Sequence, residues 1–154
     1  MSEEGFVTGY WHSGFVVADL DRSVRFYTEG LGLTLIRRFR TDSTSSAQVL
    51  AYDRVDVKGA LLELGPGAIL ELLEYVEPRT AARQISERHV IASAHLALLV
   101  DDVEAILRRL VEYGGTQHND PAQTEPGKIL TYAQDPDGNW LELAQIDQAV
   151  SGLR

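Results

Sequence analysis

From about Thr8 to Val17 apolar residues alternate with small or polar ones, and the run Phe15-Val16-Val17 closes it, a two-residue period that predicts a strand. The period then lengthens. Leu20, Val24, Tyr27 and Leu31 recur at helical spacing behind Asp19, a residue suited to cap a helix, and Gly30 and Gly32 predict where it stops. Three strand candidates follow, around 33–39, 47–52 with 60–64, and 69–75, separated by turn formers such as Gly65-Pro66-Gly67. The 47–64 stretch also reads as one hairpin. After a polar linker in which 79–83 can form a short helix, the same order returns. A strand over 93–100 leads to Asp102 as a cap, then to Val103, Ile106, Leu107 and Leu110 as a helical stripe ended by Gly114-Gly115. Strands around 129–133 and 140–144 are joined by Asp135-Pro136-Asp137-Gly138, whose proline second and glycine fourth suit a tight turn.

The recurrence holds residue by residue. At a shift of 83, His12 falls on His95, Val17 on Val100, Asp19 on Asp102, Glu29 on Glu112 and Gly32 on Gly115. At a shift of 71, the stretch from Gly67 to Leu72 falls on that from Gly138 to Leu143, placing Glu71 on Glu142. One copy therefore carries about 12 residues that the other lacks, within a duplicated β-α-β-β-β unit rather than a short solenoid repeat. Module one covers about 8–77, the linker about 78–92 and module two about 93–145. Neither module is long enough to bury an adequate core alone, so the 154 residues read as a single α+β domain.

Side chains alternate across a strand, so parity sorts these strands into two faces. Phe15, Val17, Leu70, Leu72, Leu96, Leu98, Val100, Leu141 and Leu143 form one face, apolar and suited to packing under the helices. The other carries Tyr10, His12, Gly14, Ile69, Glu71, Leu73, His95, Ala97, Trp140, Glu142 and Ala144. Two histidines and two glutamates thus share a face in otherwise apolar strands, beside the small residues Gly14, Ala97 and Ala144. A carboxylate in apolar surroundings is costly unless it is solvated, paired or bound to a metal.

Composition narrows the chemistry. With no cysteine, there are no disulfides and no thiolate, and any metal is held by nitrogen and oxygen. A net charge of −9 argues against nucleic acid or anionic membranes, which attract basic faces, and leaves a small molecule or a protein as partner. No apolar run reaches the length of a membrane span, and the acidic start is unlike a signal peptide, which points to the cytoplasm. Two imidazoles and two carboxylates suit one divalent ion of Zn, Ni, Co, Mn or Fe, with room left for a bidentate ligand. Separate structural roles in hydrogen bonds are the alternative.

These residues resemble a known family, the vicinal oxygen chelate superfamily, which includes glyoxalase I, methylmalonyl-CoA epimerase, extradiol dioxygenases and bleomycin-resistance proteins. The resemblance is carried by His12, by Asp19-Leu-Asp-Arg-Ser-Val-Arg-Phe-Tyr27 with Leu31-Gly32-Leu33, by His95, and by Asp135-Pro-Asp-Gly-Asn-Trp-Leu-Glu142. It implies two βαβββ modules in a cupped, mostly antiparallel eight-stranded sheet with helices outside, a homodimer, and a divalent metal on His12, Glu71, His95 and Glu142. In the lyase and epimerase branches, an enediolate chelated by that metal forms as a glutamate moves the proton, here Glu142 first and Glu71 second. An Fe(II) ring-cleaving dioxygenase would use His12, His95 and Glu142 and leave Glu71 idle; a drug- or small-molecule-binding protein would do no chemistry. Beyond the ligands, Trp140 is a candidate wall of the substrate pocket, and Arg38, with Arg40 on its face, a candidate partner for an anionic substrate group. Glu74 has the opposite parity to Glu71 and reads as a strand-end residue, and His89 and His118 read as surface residues.

Overall fold

The computed structural model describes residues 5–83 and 87–147. Module one runs β1 (Ser13–Val16), α1 (Leu20–Arg25) with a π-helical turn over Phe26–Gly30, β2 (Thr34–Thr41), α2 (Thr44–Leu50), β3 (Asp56–Gly65) and β4 (Ala68–Glu77). Module two runs β5 (His95–Leu99), α3 (Val103–Glu112), β6 (Thr116–Gln117), β7 (Ala122–Glu125), β8 (Lys128–Gln134) and β9 (Trp140–Ile146). The first sheet has the order β1-β4-β3-β2 and the second β5-β9-β8-β6, with β7 also on β8. β1 and β5 run parallel to β4 and β9, while the remaining pairs are antiparallel. Among the described residues the two sheets are separate, so β1 and β5 each leave one edge unpaired.

The caps and stripes read from the sequence are present. Asp19 accepts the backbone N–H of Arg22 and Asp102 that of Ala105, each at 2.9 Å. The π turn, in which Leu31 N–H reaches Phe26 O, lets the adjacent Phe26 and Tyr27 both be fully buried, a pairing that a uniform helix would splay apart. Leu20, Val24, Phe26, Tyr27, Leu62, Leu70 and Leu72 of module one join Val103, Leu107, Leu110, Leu141 and Leu143 of module two in one core. Each such burial stabilises by about 1.5–3 kcal/mol, which is why the modules fold as a unit.

Polar contacts lock the same seam. Tyr27 Oη donates to Asp135 Oδ2 at 2.9 Å, Ser23 Oγ donates to Asp137 Oδ2, and Arg22 pairs with Asp137. Asp135 sits in the β8–β9 turn that was read from the sequence, where Gly138 takes φ +84° and donates its N–H to Asp135 O. Glu74 is structural: Oε1 lies 2.8 Å from Lys58 Nζ and Oε2 accepts the N–H of Leu20, which anchors β4 to the start of α1.

Two expectations are overturned. Residues 47–52 are not a strand: Ser43 accepts the N–H of Ser46 and caps α2, which buries Ala47 against Val55, Val57, Leu73 and Tyr75. The connection holding α2 is where module one carries its extra residues. Residues 79–83 form no helix, because Thr80 bonds back to Tyr75 and holds the chain against β4. Among the described residues no helix is long and apolar enough to cross a membrane.

Candidate functional site

The parallel pairs β1–β4 and β5–β9 build two equivalent half-sites. In the first, Gly14 is the register partner of Glu71, and His12 stands two residues earlier on the same face. In the second, Ala97 partners Glu142 and His95 stands two residues earlier. The outcome is two matching contacts: His12 Nε2 lies 3.3 Å from Glu71 Oε2, and His95 Nε2 lies 3.1 Å from Glu142 Oε2. A methyl group at Gly14 would meet Glu71 Oε2 at 3.7 Å, ordinary contact, so small residues here leave space above the carboxylate.

These separations suit ligands of one ion. Two atoms about 2.1 Å from a metal lie about 3.0 Å apart at a right angle and about 3.4 Å apart at the tetrahedral angle. Each pair can therefore act as two adjacent ligands, with nitrogen and oxygen donors suited to a borderline divalent metal.

The four residues share a face type but do not converge within one chain. Among the described residues, no three histidine, aspartate or glutamate side chains are grouped to hold a metal. The topology explains this. The two helix-side faces share the main core, so the two ligand-bearing faces turn away from it, that of module one being partly covered by α2 packed on Leu73 and Tyr75. A cleft of about 640 Å³ does open between the modules, lined by Leu33, Leu64, Ala68, Leu96, Leu98 and Ile106 among others, but none of the four residues lines it.

The half-sites also differ. Across β8, Tyr132 is the register partner of Glu142, and its hydroxyl donates to Glu142 Oε2 at 2.9 Å. Burial first, and then the carboxylate, push the Tyr132 phenol above its ordinary pKa, which keeps the donating proton in place. Glu71 faces Leu61 in the corresponding position, which offers no such donor. Glu142 is thus held at one oxygen, and Glu71 is the less restrained carboxylate.

Around the second half-site the side chains are closely arranged. Trp140 is buried, 7% exposed, and its ring packs 4.8 Å from that of His118, whose Nε2 is 2.7 Å from Gln134 Oε1. The guanidinium of Arg88 lies 4.1 Å from the centre of the Tyr132 ring and 5.2 Å from that of Trp140. Tyr132 and Arg88 went unread in the sequence. Tyr132 could have been found by counting back from the Asp135–Gly138 turn, whose hairpin register pairs it with Glu142; Arg88, in the linker, left no signal.

Arg38 is placed elsewhere. A register shift between Leu35 and Arg37 sets the parity of β2, so Arg38 lines up with Ala60 and Leu72 on the helix side, where Nη1 lies 2.7 Å from Asp21 Oδ1. Arg40 is on that side too and pairs with Asp56. The arginine that β2 offers to the ligand face is Arg37, in line with Leu61 and Glu71, its guanidinium over the Phe39 ring. The Phe39 ring in turn lies against Gly59, where any Cβ would come within 2.1 Å of it.

A sequence model of the glyoxalase/bleomycin resistance protein/dioxygenase superfamily matches residues 10–143. A probable lactoylglutathione lyase of Vibrio cholerae is 29% identical over 145 residues, which span 92% of this chain and 94% of that protein. A 2-epi-5-epi-valiolone epimerase of an Actinomyces species is 31% identical over 153 residues, 88% of this chain and 78% of that one. Among solved structures, a glyoxalase family protein from Bacillus cereus superposes over 96% of this chain and 99% of its own with a TM-score of 0.84 at 21% identity, a likeness of fold.

Proposed function

The chain belongs to the glyoxalase/bleomycin resistance protein/dioxygenase superfamily, and from that premise we propose that it is a divalent-metal-dependent lyase or isomerase whose metal centre is completed between two copies of the chain. The observation that carries the proposal is the pair of equivalent histidine–glutamate contacts at 3.3 and 3.1 Å, which among the described residues are not gathered into one group. A second copy related by a two-fold axis can bring the His12–Glu71 half of one chain against the His95–Glu142 half of the other, and it does so twice. The free edges of β1 and β5, with Val16 49% and Leu99 76% exposed, are the surfaces such a pairing would cover.

A divalent ion held by these four residues would polarise a carbonyl oxygen and stabilise negative charge on it as a neighbouring C–H loses its proton. The chain's own part is to hold that ion and to move the proton. Glu142, the carboxylate first expected to be the base, is restrained by Tyr132 and suits a fixed ligand. Glu71 is freer to turn toward a substrate proton, and we assign it the role of base. The small residues Gly14, Ala97 and Ala144 leave the face open for a substrate that presents two adjacent oxygens. All four ionisable residues have work in this reaction, whereas ring cleavage on two histidines and one carboxylate would leave Glu71 idle.

Protein purified without chelator is expected to hold about one divalent ion per chain by elemental analysis. A metal-free protein that takes up none on addition of Zn(II), Ni(II), Co(II), Mn(II) or Fe(II) would contradict the proposal, as would oxygen uptake with catechols under Fe(II). The assignment of the base is tested in deuterium oxide with lactoylglutathione, the thioester named in several relatives, as probe. Exchange next to its carbonyl should fall about 10²-fold in Glu71→Gln and about tenfold in Glu142→Gln. The reverse order would return the base to Glu142.

A further inference from the structure

The cation best placed to read a substrate is one that the sequence hid in the linker. Arg88 is exposed, yet two aromatic faces beside the His95–Glu142 pair fix its position, with centroids 4.1 and 5.2 Å away. One of those faces belongs to Tyr132, whose hydroxyl touches Glu142, so the guanidinium stands one tyrosine's length from the carboxylate. Five other arginines of the described chain are in ion pairs with carboxylates, including Arg38 and Arg40. Among the described residues Arg88 has no carboxylate within ion-pair distance, in a chain with 23 acidic and 14 basic residues. A guanidinium stacked on rings keeps N–H donors for another partner, and fixing it beforehand reduces the entropy lost when that partner binds.

We propose that Arg88 binds an anionic group of the substrate, a carboxylate or a phosphate, and so orients the end of the molecule remote from the two chelating oxygens. In a protein of net charge −9 an anionic substrate meets an unfavourable overall field, and a fixed local cation offsets it at the site. The inference rests on the metal reading above for the position of those oxygens.

The test uses Zn(II)-loaded protein and calorimetric titration with hydroxamates, which chelate through two adjacent oxygens. Acetohydroxamate reports the chelating site alone. The monohydroxamates of malonate, succinate and glutarate add a carboxylate at increasing reach, and ω-phosphono hydroxamates of the same lengths replace it with a phosphonate. At least one tailed probe should bind the wild type about tenfold more tightly than acetohydroxamate, and the advantage should shrink with added salt. Comparison of the two tails tells carboxylate from phosphate. The advantage should vanish in Arg88→Met, which keeps most of the apolar stem, and persist in Arg38→Met. Equal binding of tailed and untailed probes by the wild type would overturn the proposal, and so would loss of the advantage in Arg37→Met but not in Arg88→Met. If the wild type fails to bind acetohydroxamate, the metal reading fails instead. Arg88 is then judged with inorganic phosphate on metal-free protein, by the NMR resonance of its Nε–H: a saturable shift supports the anion site and an unmoved resonance overturns it.

Discussion

Asp135→Ala is expected to lower the unfolding free energy by about 3–5 kcal/mol in urea titrations, a large share of the stability of a domain this size. Asp135 is nearly fully buried at the turn between β8 and β9. Its Oδ1 accepts the N–H groups of Asp137 and Asn139 at 2.9 and 2.8 Å, and its Oδ2 accepts from Tyr27 Oη and Asn139 Nδ2 at 2.9 and 2.8 Å. Alanine leaves several of these donors buried without an acceptor, each at a cost of about 1–3 kcal/mol, less what relaxation and water recover. Tyr27→Phe removes a single bond and should cost about 1 kcal/mol. Equal stability of wild type and Asp135→Ala would show that the Asp135 hydrogen bonds do not hold the seam.

The same residue gives the stability a pH dependence. Burial raises the Asp135 pKa above its ordinary value, although its donors oppose the shift. A carboxyl that holds its proton more tightly when folded loses stability as pH rises from its unfolded pKa through its folded one, and the contribution is flat above that. Asp135→Asn should remove that descending segment. The seam matters beyond stability, because Tyr27 lies in the π-helical turn that follows α1 and Asp135 begins the turn into β9. The contact therefore sets how the Glu142 strand stands relative to module one.

Much of this fold is legible in the amino-acid order, for reasons that differ by element. Asp19 and Asp102 announce helices because a cap is chemistry within three residues of itself, and the Asp135–Gly138 turn is equally local. Strand parity placed His12, Glu71, His95 and Glu142 on one type of face because β1, β4, β5 and β9 are regular around these residues. It put Arg38 and Arg40 on a common face of β2 without fixing which one, and the irregularity between Leu35 and Arg37 sets that face to the helix side. The short α2 reads as a strand in the sequence because its core is a small satellite of Ala47, Val55 and Val57, too few residues to impose a helical period. What parity could not tell is which face meets which. That depends on the two helix sides sharing one core, a long-range choice that turns the half-sites apart.

If each centre draws two ligands from each of two chains, as proposed, a second large effect follows. His12→Ala/Glu71→Ala and His95→Ala/Glu142→Ala each leave two ligands per site, so either variant alone should purify with almost no bound metal. Co-expressed in equal amounts, the two should form mixed dimers for about half of all pairs, and each mixed dimer has one site with all four ligands and one with none. The mixture should therefore hold about a quarter of the wild-type metal per chain, carried by the mixed dimer when the two chains bear different affinity tags. A mixture as metal-free as its parents, with mixed dimers present, would contradict the proposal, since centres built within single chains cannot be restored by a partner.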